Sequence, residues 1–100
     1  MKLWLDDIRP NPDGWIWVKN ADELFENVFN DEENLVTEIS FDHDLGENEF
    51  TGYEILNIIE SMIHMGDWKT AIPIFHIHSA NPVGRQNMQR AIDSISCLVR

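Results

Sequence analysis

Phe41-Asp42-His43-Asp44-Leu45-Gly46 decides how this 100-residue chain is read. The apolar run before it gives way to two carboxylates and an imidazole in three consecutive positions, then to a loop containing glycine. Strands break this way where they enter the crevice at the carboxyl end of an open α/β sheet. Two other stretches break alike: Leu3-Trp4-Leu5-Asp6-Asp7, and Ile74-Phe75-His76-Ile77-His78-Ser79-Ala80-Asn81. Three such ends on one rim would assemble a site.

Working outward, apolar and β-branched runs predict strands at 2–5, 15–19, 37–42 and 73–78, with a short fifth at the edge over 96–99. Helical periodicity fills the gaps. Asn20 with Glu23 opens the first helix, whose stripe is Leu24, Phe25, Val28 and Phe29. Thr51-Gly52-Tyr53-Glu54 is a full capping box before Ile55, Ile58, Ile59, Met62 and Ile63, and Gly66 supplies the stop. Asn81-Pro82 pairs an N-cap with a proline at the first helical position, ahead of Met88, Ala91, Ile92 and Ile95. The alternation predicts one α/β domain over 1–100: a small, mostly parallel sheet of four or five strands with helices on both faces.

The first connection is irregular. The seven residues Ile8 to Gly14 are too few for a helical crossover between parallel strands. A hairpin would make the second strand antiparallel and send Asp42 to the far end of the sheet from Asp6. A proline-stiffened extended segment, at about 3.1 Å per residue, can run back past a four-residue strand and keep all three polar ends together. The second course is the expected one.

Composition narrows the function. Eighteen acids against seven bases give a formal charge of −11, which repels phosphate backbones and anionic lipid, so neither long nucleic acid nor a membrane is an expected partner. The acids between Asp22 and Glu38 read as a solvated helix face and loop. One cysteine, Cys97, and the absence of a membrane-length apolar run fit a soluble, cytoplasmic protein. Trp4, Trp15, Trp17 and Trp68 read as core or rim packing.

Carboxylates that converge repel one another unless a hard cation neutralises them, so Asp6, Asp7, Asp42 and Asp44 are candidate ligands for magnesium or manganese. Strand alternation puts Asp42 and Asp44 on one side and His43 on the other. His76 and His78 share a strand face and titrate near neutrality, which suits proton exchange with an attacking or leaving oxygen. The head of the helix at Asn81 offers amides to an anion, with Ser79, Asn81, Arg85 and Arg9 as phosphate contacts. A carboxylate cage beside an anion seat suggests phosphoryl chemistry.

Asp6-Asp7 after the first strand, Asp44 eight residues before Gly52, and Ser79-Ala80 after the fourth strand resemble the acid pair, phosphoacceptor loop and switch of response-regulator receiver domains. The phrases LWLDDIRPNPDGW, ISFDHDLG, TGYEIL and HIHSANPVGRQNM are closer to the cyclic-phosphate processing receiver-like domains, and cover nearly the whole chain. That resemblance implies a flavodoxin-like, receiver-like fold with the first helix missing. It also implies a phosphoesterase acting on cyclic phosphates of nucleotides or RNA ends. On a small nucleotide-derived substrate His76 and His78 would then act as base and acid, or one of them as an additional ligand, with His43 in support. No Lys-Pro pair ends the last strand, which weighs against aspartyl-phosphate signalling. Two rivals stand beside it: a phosphorylatable receiver module, and an acidic protein that mimics nucleic acid.

Overall fold

The computed structural model describes residues 1–30 and 35–99. Four strands, β1 (Lys2–Leu5), β2 (Trp15–Val18), β3 (Glu38–Phe41) and β4 (Ile74–Ile77), alternate after β2 with three helices, α1 (Ala21–Asn30), α2 (Gly52–His64) and α3 (Pro82–Leu98). The sheet order is β2-β1-β3-β4 and every pairing is parallel. The receiver-like α/β class expected from the sequence is the one that forms. Residues 31–34, part of the expected acidic loop, lie outside the described residues.

β1 and β2 are parallel without an intervening helix, as the extended course requires. The segment is tied along its length: the Trp4 indole N–H donates to the Arg9 carbonyl at 3.1 Å, and Asn11 reaches the Trp15 carbonyl. Trp15 closes it by donating to Pro12 at 3.2 Å.

Side-chain caps set where the helices start. Thr51 accepts from the Glu54 amide while the Glu54 carboxylate accepts from Thr51, and Asn81 accepts from Gly84 with Pro82 at the first position. Asn20 accepts from the Glu23 amide at 2.9 Å. Residues 96–99 correct the sequence reading: Ser96 to Leu98 continue α3 and Val99 caps it, so no fifth strand forms there. Ile95 extends the buried stripe of Gly84, Met88 and Ala91, and Leu98 falls on the same turn, so the apolar run has the helical period.

The crossovers from β2 to β3 and from β3 to β4 step the same way across the sheet. Right-handed connection therefore puts α1 and α2 on one face, and α3 packs against α2. Leu3, Leu5, Ile39 and Phe41 of that face meet Leu24, Ile55, Leu56, Ile59, Met88 and Ile95 in one buried core. The helices thus share one face, where cover on both was expected. The other face carries Lys2, Trp4, Trp15, Trp17, Glu38, Ser40 and His76, one residue out of phase with the core positions. Trp15 meets Trp4 edge-on at 6.0 Å and His76 at 6.1 Å, so flat side chains roof the strands there. Trp4, Trp15 and Trp17 accordingly belong to this roof, and Trp68 alone of the four is buried with the core.

Candidate active site

Two neighbouring strand ends deliver three carboxylates to one place. Asp6 and Asp7 follow β1, Asp42 follows β3, and each offers an oxygen within 4.8 Å of those of the other two. The parallel pairing of β1 with β3 aligns Leu5 with Phe41, so the residues after them, Asp6 and Asp42, leave the sheet side by side. The backbone marks the same junction: Asp42 donates to the Leu5 carbonyl at 2.9 Å, and Asp6 to that of Val18 at 3.1 Å.

Asp6 is 2% exposed, and both of its carboxylate oxygens have partners. One oxygen accepts from the Ile8 and Arg9 amides at 2.9 and 2.7 Å, and the other meets His78 Nε2 at 3.1 Å. Asp42 accepts from the His43 amide at 2.9 Å. Burial, followed by the neighbouring Asp6 charge, pushes the Asp42 carboxyl above its ordinary value, against the pull of the His43 amide, His78 and the Ser79 side chain. Burial likewise holds the His78 imidazole below its ordinary value, opposed by Asp6.

The fourth expected ligand stands apart. Asp44 is outside the three-carboxylate group, exposed, and held between His43 Nδ1 at 3.2 Å and the Asn81 amide at 3.3 Å. Strand-end position, rather than the spacing to Gly52, is what selects Asp42. His43 lies against the start of α3, where its ring abuts Gly84. Among the described residues its Nε2 has no hydrogen-bond partner.

The paired histidines separate. His78 enters the site, whereas His76 turns back to Glu38 Oε1 at 2.8 Å, at the opposite end of β3 from Asp42. Their common face is real, but two residues of strand carry them to different levels of the sheet.

The residues expected at a phosphate hold the turn itself. Ser79 accepts from the Asn81 amide at 3.1 Å, Arg85 donates to the Ser79 carbonyl at 2.9 Å, and Arg9 to the His78 carbonyl at 3.3 Å. Asn81 is occupied by Gly84 and Asp44. Arg9 and Arg85 remain exposed beyond these single bonds. A groove of about 460 Å³ runs along β4, lined by Phe75, His76, Ile77, Arg85, Gln86 and Gln89; it touches the site through Arg85 and excludes the carboxylates.

Ser40 and Trp4 are the residues at the site that sequence reasoning did not single out for it. Ser40 gives a weak signal, a lone hydroxyl between Ile39 and Phe41 on the same strand face as Asp42. Trp4 gives none beyond its place two residues before Asp6.

A family model described as "Cyclic-phosphate processing Receiver domain" matches residues 1–94. Comparisons with curated proteins and with solved structures found no match.

Proposed function

The chain belongs to the cyclic-phosphate processing receiver domain family, and from that premise we propose that it hydrolyses the cyclic phosphate of a small nucleotide-derived or RNA-end substrate. The carrying observation is the convergence of Asp6, Asp7 and Asp42 within 4.8 Å at the rim of a parallel sheet. Such a donor set, all hard oxygens, fits magnesium or manganese. The upward displacement of the Asp42 carboxyl supports the same reading, because a partly buried carboxyl beside another acid gains from a cation. A bound divalent ion supplies Lewis-acid stabilisation of charge on the phosphoryl oxygens.

The other roles belong to the chain's own side chains. His43 keeps its Nε2 unbonded among the described residues, and Asp44 meets the ring at Nδ1, an arrangement suited to passing a proton. Exposed Arg9 and Arg85, held at the His78 and Ser79 carbonyls, offer guanidinium N–H groups to the phosphate. His76, bound to Glu38, takes no part in the proton transfers.

The test is turnover of 2′,3′-cyclic nucleotides with magnesium, manganese or chelator, by the wild type and by Asp42→Asn. Metal-dependent ring opening that the variant loses supports the assignment. A folded wild type inert under all three conditions refutes it.

A further inference from the structure

Ser40 lies in mid-strand, 3% exposed, and its hydroxyl sits 2.7 Å from His78 Nδ1. On the other side of that ring, Nε2 meets Asp6 Oδ2 at 3.1 Å. Trp4 covers the ring's flat face, stacked at 3.6 Å between centroids and 8° between planes. Both nitrogens and one face of His78 are therefore taken, and the side chain is 11% exposed. An imidazole so enclosed is a strut.

The proton positions follow from donor and acceptor identity. The Asp6 carboxylate can only accept, so Nε2 carries the hydrogen. Nδ1 is the sole partner of the Ser40 hydroxyl among the described residues, and a hydroxyl buried this deeply would strand its own proton if Nδ1 also donated. The Ser40 O–H thus donates to Nδ1, and the ring is the neutral Nε2–H tautomer.

We propose that Ser40 and Trp4 are positioning residues: through His78 they fix the Asp6 carboxylate so that its free lone pairs face Asp7 and Asp42. The inference rests on the proposed cation site, for which it identifies an outer layer. Partners of this kind orient carboxylates and imidazoles around a cation, and losing one typically weakens metal affinity about 10–100-fold. The relay is legible in the strand register, since Trp4 and Ser40 are aligned partners on β1 and β3 and Ser40 is aligned with His76, two residues before His78.

The test reads the tautomer and the cation separately, without substrate. Nitrogen-15 spectra of the wild type should show His78 protonated at Nε2 and bare at Nδ1. Ser40→Ala should lose that single tautomer and bind Mn²⁺ about tenfold more weakly by calorimetry, whereas Ser40→Thr, which keeps the hydroxyl, should restore the tautomer and most of the affinity. Trp4→Phe, which keeps a ring over His78, should lie closer to the wild type than Trp4→Leu. A wild type protonated at Nδ1, or a folded Ser40→Ala with unchanged tautomer and Mn²⁺ affinity, overturns the relay while leaving the hydrolase reading intact. A wild type that binds no Mn²⁺ removes the cation from both.

Discussion

Asp42→Asn should move two measurements in opposite directions. Without a cation, Asp42 is a partly buried carboxyl beside Asp6, pushed above its ordinary value, so replacing it with a neutral amide should raise the melting temperature at neutral pH in chelator. The same change should cost at least the roughly 10–100-fold in Mn²⁺ affinity that loss of a mere supporting partner does. Equal melting temperatures would mean that the site carries no electrostatic strain. For His43, alanine should lower turnover by about 10²–10⁴-fold, the usual contribution of a general acid or base, while His76→Ala should leave turnover close to the wild type. The reverse ranking would return proton transfer to the β4 face. Much at this scale is legible in the sequence, because a strand that ends in acid announces its rim. Asp6, Asp7 and Asp42 are brought together as the alternation of apolar and acidic residues implies. The divergence of His76 from His78 is not legible: it depends on Glu38 and Trp15, contributed by strands distant in sequence.

The elements meet most tightly where glycines admit them. A Cβ on Gly52 would collide with the Asp42 carbonyl oxygen and stand 2.8 Å from Met88 Sδ, and one on Gly84 would strike the His43 ring. These contacts set α2 and α3 against the loop that carries the site. Gly52→Ala should therefore destabilise the fold by about 1–3 kcal/mol, the usual cost of overpacking, measured by denaturant unfolding. Asn81→Ala should cost about 1 kcal/mol as a lost N-cap, and free Asp44 as well. The capping boxes and the proline at 82 make the starts of α2 and α3 readable from sequence. Residues 96–99 mislead because so short a run, a serine and three apolar residues, fits strand and helix equally well, and only the register set by Met88, Ala91 and Ile95 decides.

Over the whole molecule, burial of His78 links stability to pH. Its folded-state pKa lies below the ordinary 6.5, so its contribution to stability is complete above that value and is lost as pH falls through the folded-state pKa. Asp42, raised from 3.8, acts in the opposite sense: its contribution is complete below that value and is lost as pH rises through its own raised pKa. In chelator the melting temperature should decline as pH is lowered below 6.5, and His78→Gln should flatten that decline; an equal slope in the variant would assign it to other groups. Among the described residues no helix is long and apolar enough to cross a membrane. The parallel order of the first two strands and their helix-free connection follow from the short, proline-stiffened run Ile8 to Gly14. That one face would lack helices is harder to foresee, since it emerges only once all crossovers turn the same way.

Rings laid over strands have no main-chain ladder of their own. The helical side must open as cooperative units, but the roof of Trp4, Trp15 and His76 can loosen one rotamer at a time. Warming should therefore wet the two sides of the sheet at different temperatures, with indole emission from the roof shifting to the red before the far-ultraviolet signal of the helices begins to fall.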